Sequence, residues 1–369
     1  MNLDFLINSA RKRISQPKKR EITGYANIKI IGCGGAGNNT IDRLMKIGIH
    51  GAECISINTD RQHLDMDDAH IKILIGKNLT RGLGAGGDPE IGKAAAEESR
   101  EELIEVIRDS DLVFITCGEG GGTGTGSAPI VAEIAKMEGA IVVGVVTLPF
   151  KTEIGRIEKA KRGIEQLKQY VDTLVVIDNN RLLDIAPDLP IIEAFSVADE
   201  VLATMVKGIT ETISLPSLIN LDFADVKTIL STGGVAIVGV GESNSKENRV
   251  DEAIENALDS PLLDVSIDGA KGALIHVCGG NDMTLAEANS VAEKIAEKMD
   301  VEDSMVIWGA RVSDEFEGYI RVMLLITGIK SPQIFGNPLI SKNSTNKFIG
   351  KTKISLSNEI LNISELSFD

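Results

Sequence analysis

Between Ile28 and Ile177, short apolar runs alternate with longer segments that mix charged residues with alanine. The runs are Ile28–Ile31, Cys54–Ile57, Ile71–Ile75, Leu112–Thr116, Ala140–Thr147 and Thr173–Ile177. They are rich in Val and Ile, nearly continuous in hydrophobicity, and bounded by Gly, Asp or Asn. That is the pattern of strands covered on both faces. Intervening segments such as Glu90–Ile107 read as helices, so this stretch predicts a parallel sheet sandwiched between helices.

A long helix follows over Ser196–Leu215, stopped by Pro216. From Lys227 the rhythm changes. Strands at Val235–Val240, Ala273–Val277, Ser304–Trp308 and Ile320–Ile326 alternate with two helices, the second opening on the capping-box pattern Thr284-Leu-Ala-Glu287. The chain therefore divides into an N-terminal extension (1–24), a first domain (25–195), the long helix with an acidic loop (196–226), a smaller α+β domain (227–330) and a tail (331–369). In the extension, Leu3, Leu6, Ile7, Ala10 and Ile14 share one helical face beside a basic cluster. Docking on the chain's own body is the simpler reading; contact with a membrane surface is the other. The tail is rich in Ser, Asn and Lys and is expected to be flexible; its apolar residues from Ile360 to Phe368 are ones a partner groove could grip.

Charge narrows the function. At −16 formal charge over 369 residues, the surface should repel nucleic acid, and with 4% aromatics it offers no stacking platform for single strands. Any bound phosphate must be held by a local device. The cysteines Cys33, Cys54, Cys117 and Cys278 form no Cys-x-x-Cys pair and read as reduced and structural. The histidines lack zinc-type spacing. The longest apolar stretch, Ala140–Phe150, is about half of the ~20 residues a spanning helix needs. A cytoplasmic chain without transmembrane insertion is expected.

Two glycine runs supply the local device. The first strand leads into Gly32-Cys-Gly34-Gly35-Ala36-Gly37-Asn38-Asn39, which fits Gly-x-Gly-x-x-Gly; such glycines let backbone approach a phosphate at a helix N-terminus. Alone this is a weak signal, and with Asp60 downstream it also fits an NAD-dependent oxidoreductase. The second run, Gly118-Glu-Gly120-Gly121-Gly122-Thr123-Gly124-Thr125-Gly126-Ser127, lies between the Leu112–Thr116 strand and a helix expected to start near Ala128-Pro129, with Pro129 in its first turn. It implies a nest of backbone amides. Gly87-Asp-Pro-Glu-Ile-Gly92-Lys93 has Walker A spacing but carries Ala94 where a magnesium-holding hydroxyl belongs; Asp88 and Pro89 read instead as a helix start.

Gly120-Gly-Gly-Thr-Gly-Thr-Gly126 resembles the phosphate-cradling signature of the tubulin/FtsZ family. Asn220-Leu-Asp222-Phe-Ala-Asp225 resembles the family's acidic loop, and Asn58-Thr-Asp60 and Gly82-Leu-Gly-Ala-Gly86 resemble its nucleotide loops. The likeness spans about Tyr25 to Lys330 and is to archaeal-type FtsZ in particular. It implies a tubulin/FtsZ-like α/β fold: a Rossmann-like GTPase domain joined by a long central helix to a smaller α+β domain. It also implies binding of GTP and GDP with Mg2+ carried on the nucleotide, and head-to-tail homopolymers at the division site, with a membrane-adaptor protein held through the tail. Carried over by position, Gly35, Ala36, Gly37, Asn38 and Asn39 contact nucleotide; Gly121, Gly122, Thr123, Gly124, Thr125 and Gly126 wrap the phosphates. Glu153 and Arg156 meet the ribose and phosphates, Asn179 and Asp199 bond guanine, and Phe195 stacks on it. Asn220, Asp222 and Asp225 are the catalytic set. Three departures stand out: a Glu153–Arg156 loop one residue short, Asp178 in place of a proline, and Ser217 in place of a glycine.

Geometry adds a mechanism. Phe195 and Asp199 are expected to begin the long helix and Asp222 follows its end, a separation of ~30 Å for twenty helical residues. One chain cannot easily bring its own Asp222 to its own γ-phosphate, but a second subunit stacked on the first can. Asp222 and Asp225 would also serve simply as N-cap and first-turn acids of a helix. The rival functions are the NAD-dependent oxidoreductase and a relative that binds GTP but hydrolyses and assembles poorly.

Overall fold

The computed structural model describes residues 26–180, 190–214, 219, 221–245, 248–258, 270–299 and 304–329. The extension, the tail, Ser217 and Asn220 lie outside the described residues.

Six parallel strands form the first part of the sheet: β1 (Ile28–Cys33), β2 (Ala52–Asn58), β3 (Ile71–Leu74), β4 (Leu112–Gly118), β5 (Ile141–Leu148) and β6 (Thr173–Asp178), in the order 3-2-1-4-5-6. The runs are apolar on both faces because helices cover both sides, and Ile28, Ile30, Phe114 and Val143 are fully or almost fully buried. Strand order reverses between β1 and β4, which pair from Ile28↔Leu112 to Cys33↔Cys117. At that switch point the loops following the two strands leave side by side on the C-terminal edge. They lead into α1 (Gly34–Ile47) and α6 (Thr123–Met137).

The remaining strands do not form a sheet of their own. β7 (Val235–Ser243) joins β6 in parallel through Leu174↔Val235 and Val175↔Ala236, and β10 (Ile320–Ile329), β8 (Gly272–Gly279) and β9 (Met305–Val312) continue it into one ten-stranded sheet. β10 runs antiparallel to both of its neighbours.

The central helix α8 (Ile191–Ser214) has 24 residues and so runs ~36 Å. It starts after the C-terminal end of β6. Its last residue donates from Ser214 Oγ to the Gly51 carbonyl, 3.3 Å away, just before β2 begins. The helix therefore crosses from one edge of the parallel strands to the other. Its buried residues Leu202, Met205, Val206 and Ile209 share a core with Ile30 and Phe114 on one side and with Leu274, Met323 and Leu325 on the other.

Three helix boundaries differ from expectation. α8 begins at Ile191 rather than Ser196, so Phe195 and Asp199 lie past its first turn. The Glu90–Ile107 segment is two helices, α4 (Pro89–Glu98) and α5 (Arg100–Ile107), broken at Ser99, whose hydroxyl accepts the Gly76 amide at 3.1 Å. α6 starts at Thr123, inside the glycine run, which leaves Pro129 within the helix rather than in its first turn. The other helices named below are α2 (Arg61–Met66), α3 (Lys77–Thr80), α7 (Ile154–Leu167), α9 (Phe223–Ser231), α10 (Arg249–Leu258) and α11 (Leu285–Met299). The capping box of α11 is formed: Glu287 N donates to Thr284 Oγ1 at 3.2 Å, and Thr284 N donates to Glu287 Oε2 at 2.8 Å.

Helix α10 packs directly on β7 at Gly241, where an added Cβ would lie 2.2 Å from the Ala253 carbonyl oxygen and 2.3 Å from the Ala257 amide. Helix backbone cannot rotate away, so Gly241→Ala is expected to cost ~1–3 kcal/mol in chemical denaturation. Gly155→Ala meets nothing within 4 Å; as a helical position it should gain ~0.5–1 kcal/mol. Equal stability of the two variants would contradict this account of the packing.

Candidate functional site

The glycine runs meet at the switch point. Gly34 is left-handed at φ 70°, and a Cβ there would sit 2.7 Å from the Gly124 amide; one on Gly124 would sit 2.9 Å from the Cys33 carbonyl oxygen. Only glycine permits this interlock. Neither α1 nor α6 has a side-chain cap. Nearby α2 and α4 differ: Asp60 accepts the His63 amide at 3.2 Å and Asp88 accepts the Glu90 amide at 3.0 Å. The leading amides of α1 and α6 thus face the same edge without a carboxylate among them, an arrangement suited to an anion.

The glycines of the second run do different things. An added Cβ at Gly120 would lie 2.8 Å from the Arg156 carbonyl oxygen, at Gly122 2.8 Å from the Asp88 amide, and at Gly126 2.0 Å from the Pro89 carbonyl oxygen. In the first run, Gly37 abuts the Thr116 carbonyl oxygen in the same way, at 2.3 Å. All of these are packing glycines. Gly121 and Gly35 are not: Gly121 has only the Gly118 oxygen at 4.0 Å, Gly35 has only the His63 ring from 3.5 Å outward, and neither is left-handed. The fold does not need glycine at either position. Their missing side chains leave a cradle on the open side of both loops.

Several expected residues gather around this cradle. Ala36 and Asn39 are exposed on the first turns of α1, and Asn38 is fully buried, its Oδ1 accepting Asn58 Nδ2 at 3.3 Å while its own Nδ2 lacks a partner. Thr123 Oγ1 lies 2.6 Å from Thr59 Oγ1, tying the start of α6 to the end of β2. The Gly82–Gly86 loop joins there too, through Gly84 N to the Thr59 carbonyl oxygen at 3.1 Å. Glu153 and Arg156 pair with each other at 2.7 Å, and the Arg156 backbone abuts Gly120. The short loop before them is held by Asn180, which accepts the Lys151 amide at 2.9 Å and whose own amide donates to Asp178 Oδ1 at 2.9 Å. That gives the unexpected Asp178 a turn-forming role.

Asn179 is buried just past the end of β6 with its Oδ1 unpartnered, an orphan that a ligand N–H would satisfy. Asp199 on α8 is half-buried. Burial pushes its carboxyl up to about 7, with Arg43 opposing and Asp42 adding to the rise; Arg43 is itself tied to Glu200. The Phe195 side chain and Asn220 lie outside the described residues. Asp222 and Asp225 are exposed at the start of α9, beyond the far end of α8, and Asp222 Oδ1 accepts the Ala224 amide at 3.5 Å. The fold places these two acids away from the cradle. Among the described residues no three His, Cys, Asp or Glu side chains come together to hold a metal, and no helix is long and apolar enough to cross a membrane.

Sequence reasoning assigned no role to Glu119. It is 4% exposed beneath the second loop, and burial pushes its carboxyl up to about 7. An acid inside an anion-binding type of glycine run is the signal that could have drawn attention to it.

The division of labour among the glycines can be measured. Gly126→Ala is expected to lose ~1–3 kcal/mol of stability, whereas Gly121→Ala should unfold within ~0.5 kcal/mol of the unmodified chain, as surface substitutions do. A large loss for Gly121→Ala in denaturant titration would mean that this glycine serves the fold after all.

Comparison with known proteins agrees with the geometry. The sequence pattern of the Tubulin/FtsZ family, GTPase domain, matches residues 27–187, and that of the FtsZ family, C-terminal domain, matches residues 234–330. The chain is 61% identical over 315 residues to Cell division protein FtsZ 2 of Methanocaldococcus jannaschii, covering 85% of this chain and 83% of that one. It is 53% identical over 313 residues to Cell division protein FtsZ 2 of Halobacterium salinarum, covering 85% and 79%. A solved FtsZ dimer from M. jannaschii, described as empty, superposes with a TM-score of 0.78 at 53% identity, covering 89% of this chain and 93% of that one. The dinucleotide oxidoreductase is thereby set aside, and with matched domains on both sides of the central helix the chain belongs to the tubulin/FtsZ family of GTPases.

Proposed function

We propose that this chain binds GTP in the paired glycine loops, assembles head to tail, and hydrolyses the nucleotide between neighbouring copies as a cell-division filament. The observation that carries this reading is the separation of the cradle from Asp222 and Asp225 by a helix running ~36 Å from edge to edge. A contact that stacks one edge on the other is heterologous and propagates into a filament.

In this reading the amides of Gly35 to Asn39 and of Gly121 to Gly126 hold the phosphates, in a loop whose open side is kept clear by Gly35 and Gly121. Glu153 and Arg156 give up part of their mutual pairing to the ribose and phosphates. Asn179 Oδ1 and the Asp199 carboxylate accept from guanine, with Phe195 on the ring. Guanine offers Asp199 an N1–H and an exocyclic amine, a donor pair that adenine lacks, and those donors favour the ionised form that burial opposes. Magnesium, bound with the nucleotide, supplies positive charge against the phosphates. Asp222 and Asp225 of the next subunit, together with Asn220, orient and polarise the attacking water. The tail from 331 onward is the segment through which a membrane-adaptor protein would hold the filament at the division site.

Phosphate release with GTP and magnesium, followed across protein concentrations alongside sedimentation, tests this. Turnover and pelleting should share one threshold concentration. Asp225→Ala should keep its GTP affinity and lose turnover on the order of 100-fold; Gly121→Ala should fold but bind GTP weakly. Mixing the two should restore part of the turnover, because an intact cradle on one chain then meets an intact acidic loop on the other. Turnover proportional to protein, with no pelleting and no restoration on mixing, would mean that each chain carries a complete site.

A further inference from the structure

The second glycine loop sits on a carboxyl group. Glu119 follows β4, and its amide donates to the Thr147 carbonyl oxygen of β5 at 2.9 Å. Its side chain turns inward against α7, where it fills a slot that exists only because residue 163 is glycine. A Cβ on Gly163 would lie 2.2 Å from Glu119 Oε2 and 2.5 Å from Thr125 Cγ2. Glu119 Oε1 accepts the Cys117 thiol at 3.6 Å, while Oε2 is buried without a partner. The Thr125 hydroxyl is the other polar neighbour of the carboxyl, and Thr125 Oγ1 accepts the Gly120 amide at 2.8 Å. A chain of contacts therefore runs from Glu119 through Thr125 to the backbone of the loop.

Among the described residues, no positive charge balances this acid. Its titratable neighbours are the thiols of Cys117 and Cys33, on β4 and β1, both kept protonated by burial. On α7, Glu158 pairs with Lys161, Lys159 donates to the Gly87 carbonyl oxygen, and Arg162 is exposed. Arg156 is paired with Glu153, and the first turn of α6 carries no acid. Glu119 forms no ion pair among the described residues, and burial is the main cause that pushes its carboxyl up to about 7.

We propose that Glu119 is a positioning residue of the phosphate loop: its neutral carboxyl, seated against Gly163, holds Thr125 and through it the Gly120 amide, and its ionised form sets a negative charge beneath the loop that weakens phosphate binding. This rests on the reading of that loop as the site of the nucleotide phosphates. Ionisation adds repulsion toward the phosphates and draws a buried charge toward water and so out of its slot; the Thr125 and Cys117 contacts favour the charged form, but burial outweighs them. Nucleotide affinity then becomes coupled to proton concentration near neutrality, through a group that never touches the ligand.

The test compares the affinities of the full chain for GDP and for guanosine between about pH 6 and pH 8.5, where the carboxyl titrates. Taking the ratio cancels protonation of Asp199, which meets the base in both ligands. Comparing with Glu119→Gln cancels ionisation of the GDP phosphate itself. As pH rises, the GDP-to-guanosine ratio of the unmodified chain should fall ~10-fold relative to Glu119→Gln, which copies the neutral acid. Glu119→Met, which fills the slot without charge or hydrogen bond, should also lose this pH dependence but show a lower ratio at every pH. Parallel profiles for the unmodified chain and both variants would overturn the proposal while leaving the loop a phosphate site. GDP binding no tighter than guanosine in the unmodified chain at any pH would overturn the phosphate reading itself.

Discussion

The parallel pairing of β1 with β4 brings two helix starts so close that a side chain on Gly34 would strike the Gly124 amide. That backbone-to-backbone approach sets much of what surrounds it. It aims the uncapped ends of α1 and α6 at one place on the sheet edge. It also requires Gly122 and Gly126 to nest against α4 and the turn before it, and so fixes where the Asp88-capped helix can sit. A chain with a formal charge of −16 can hold an anion there because the positive potential comes from oriented peptide dipoles, which need no basic side chain.

The central helix transmits this arrangement to the rest of the molecule. Its apolar residues belong to a core shared by β1, β4, β8 and β10, and Gly208 lets it lie against Met323 of β10. The direct strand contact between the two halves is slight by comparison, two residue pairs from β6 to β7. The spacing between the cradle and the acidic loop is thus set largely by a helix held along its length, whose last turn is pinned at Gly51.

Much of the fold was legible because strands buried on both faces write themselves as Val- and Ile-rich runs, with bounds that shift by only a residue or two in β1 to β6 and β8, while β7, β9 and β10 run three or four residues past their expected ends. Helix starts were harder to read. The glycine run reads as a loop because glycine has poor helix propensity, yet packing against α4 and β1 imposes helical backbone from Thr123, and Pro129 then suggested the wrong boundary. Ser99 breaks a segment that is helical in composition because its hydroxyl is claimed by Gly76, a partner distant in sequence. Around the cradle, Asn179 and Asp199 could be named only through family likeness, since neither sits in a local pattern with its own chemistry. Glu119 was not legible as a buried acid at all: the slot it fills is left by Gly163 of α7, and no local window contains both.

The split among the glycines bears on how such motifs should be read in other chains. If Gly122, Gly124 and Gly126 are held by the packing of α4, β1 and β4, selection for a folded protein suffices to retain them after nucleotide chemistry is lost. A degenerate descendant would then keep most of the signature and still be inert. Gly35 and Gly121, which the fold itself does not require, are the positions where drift should appear first. Replacement there would be a more sensitive mark of a lost activity than any departure in the rest of the run.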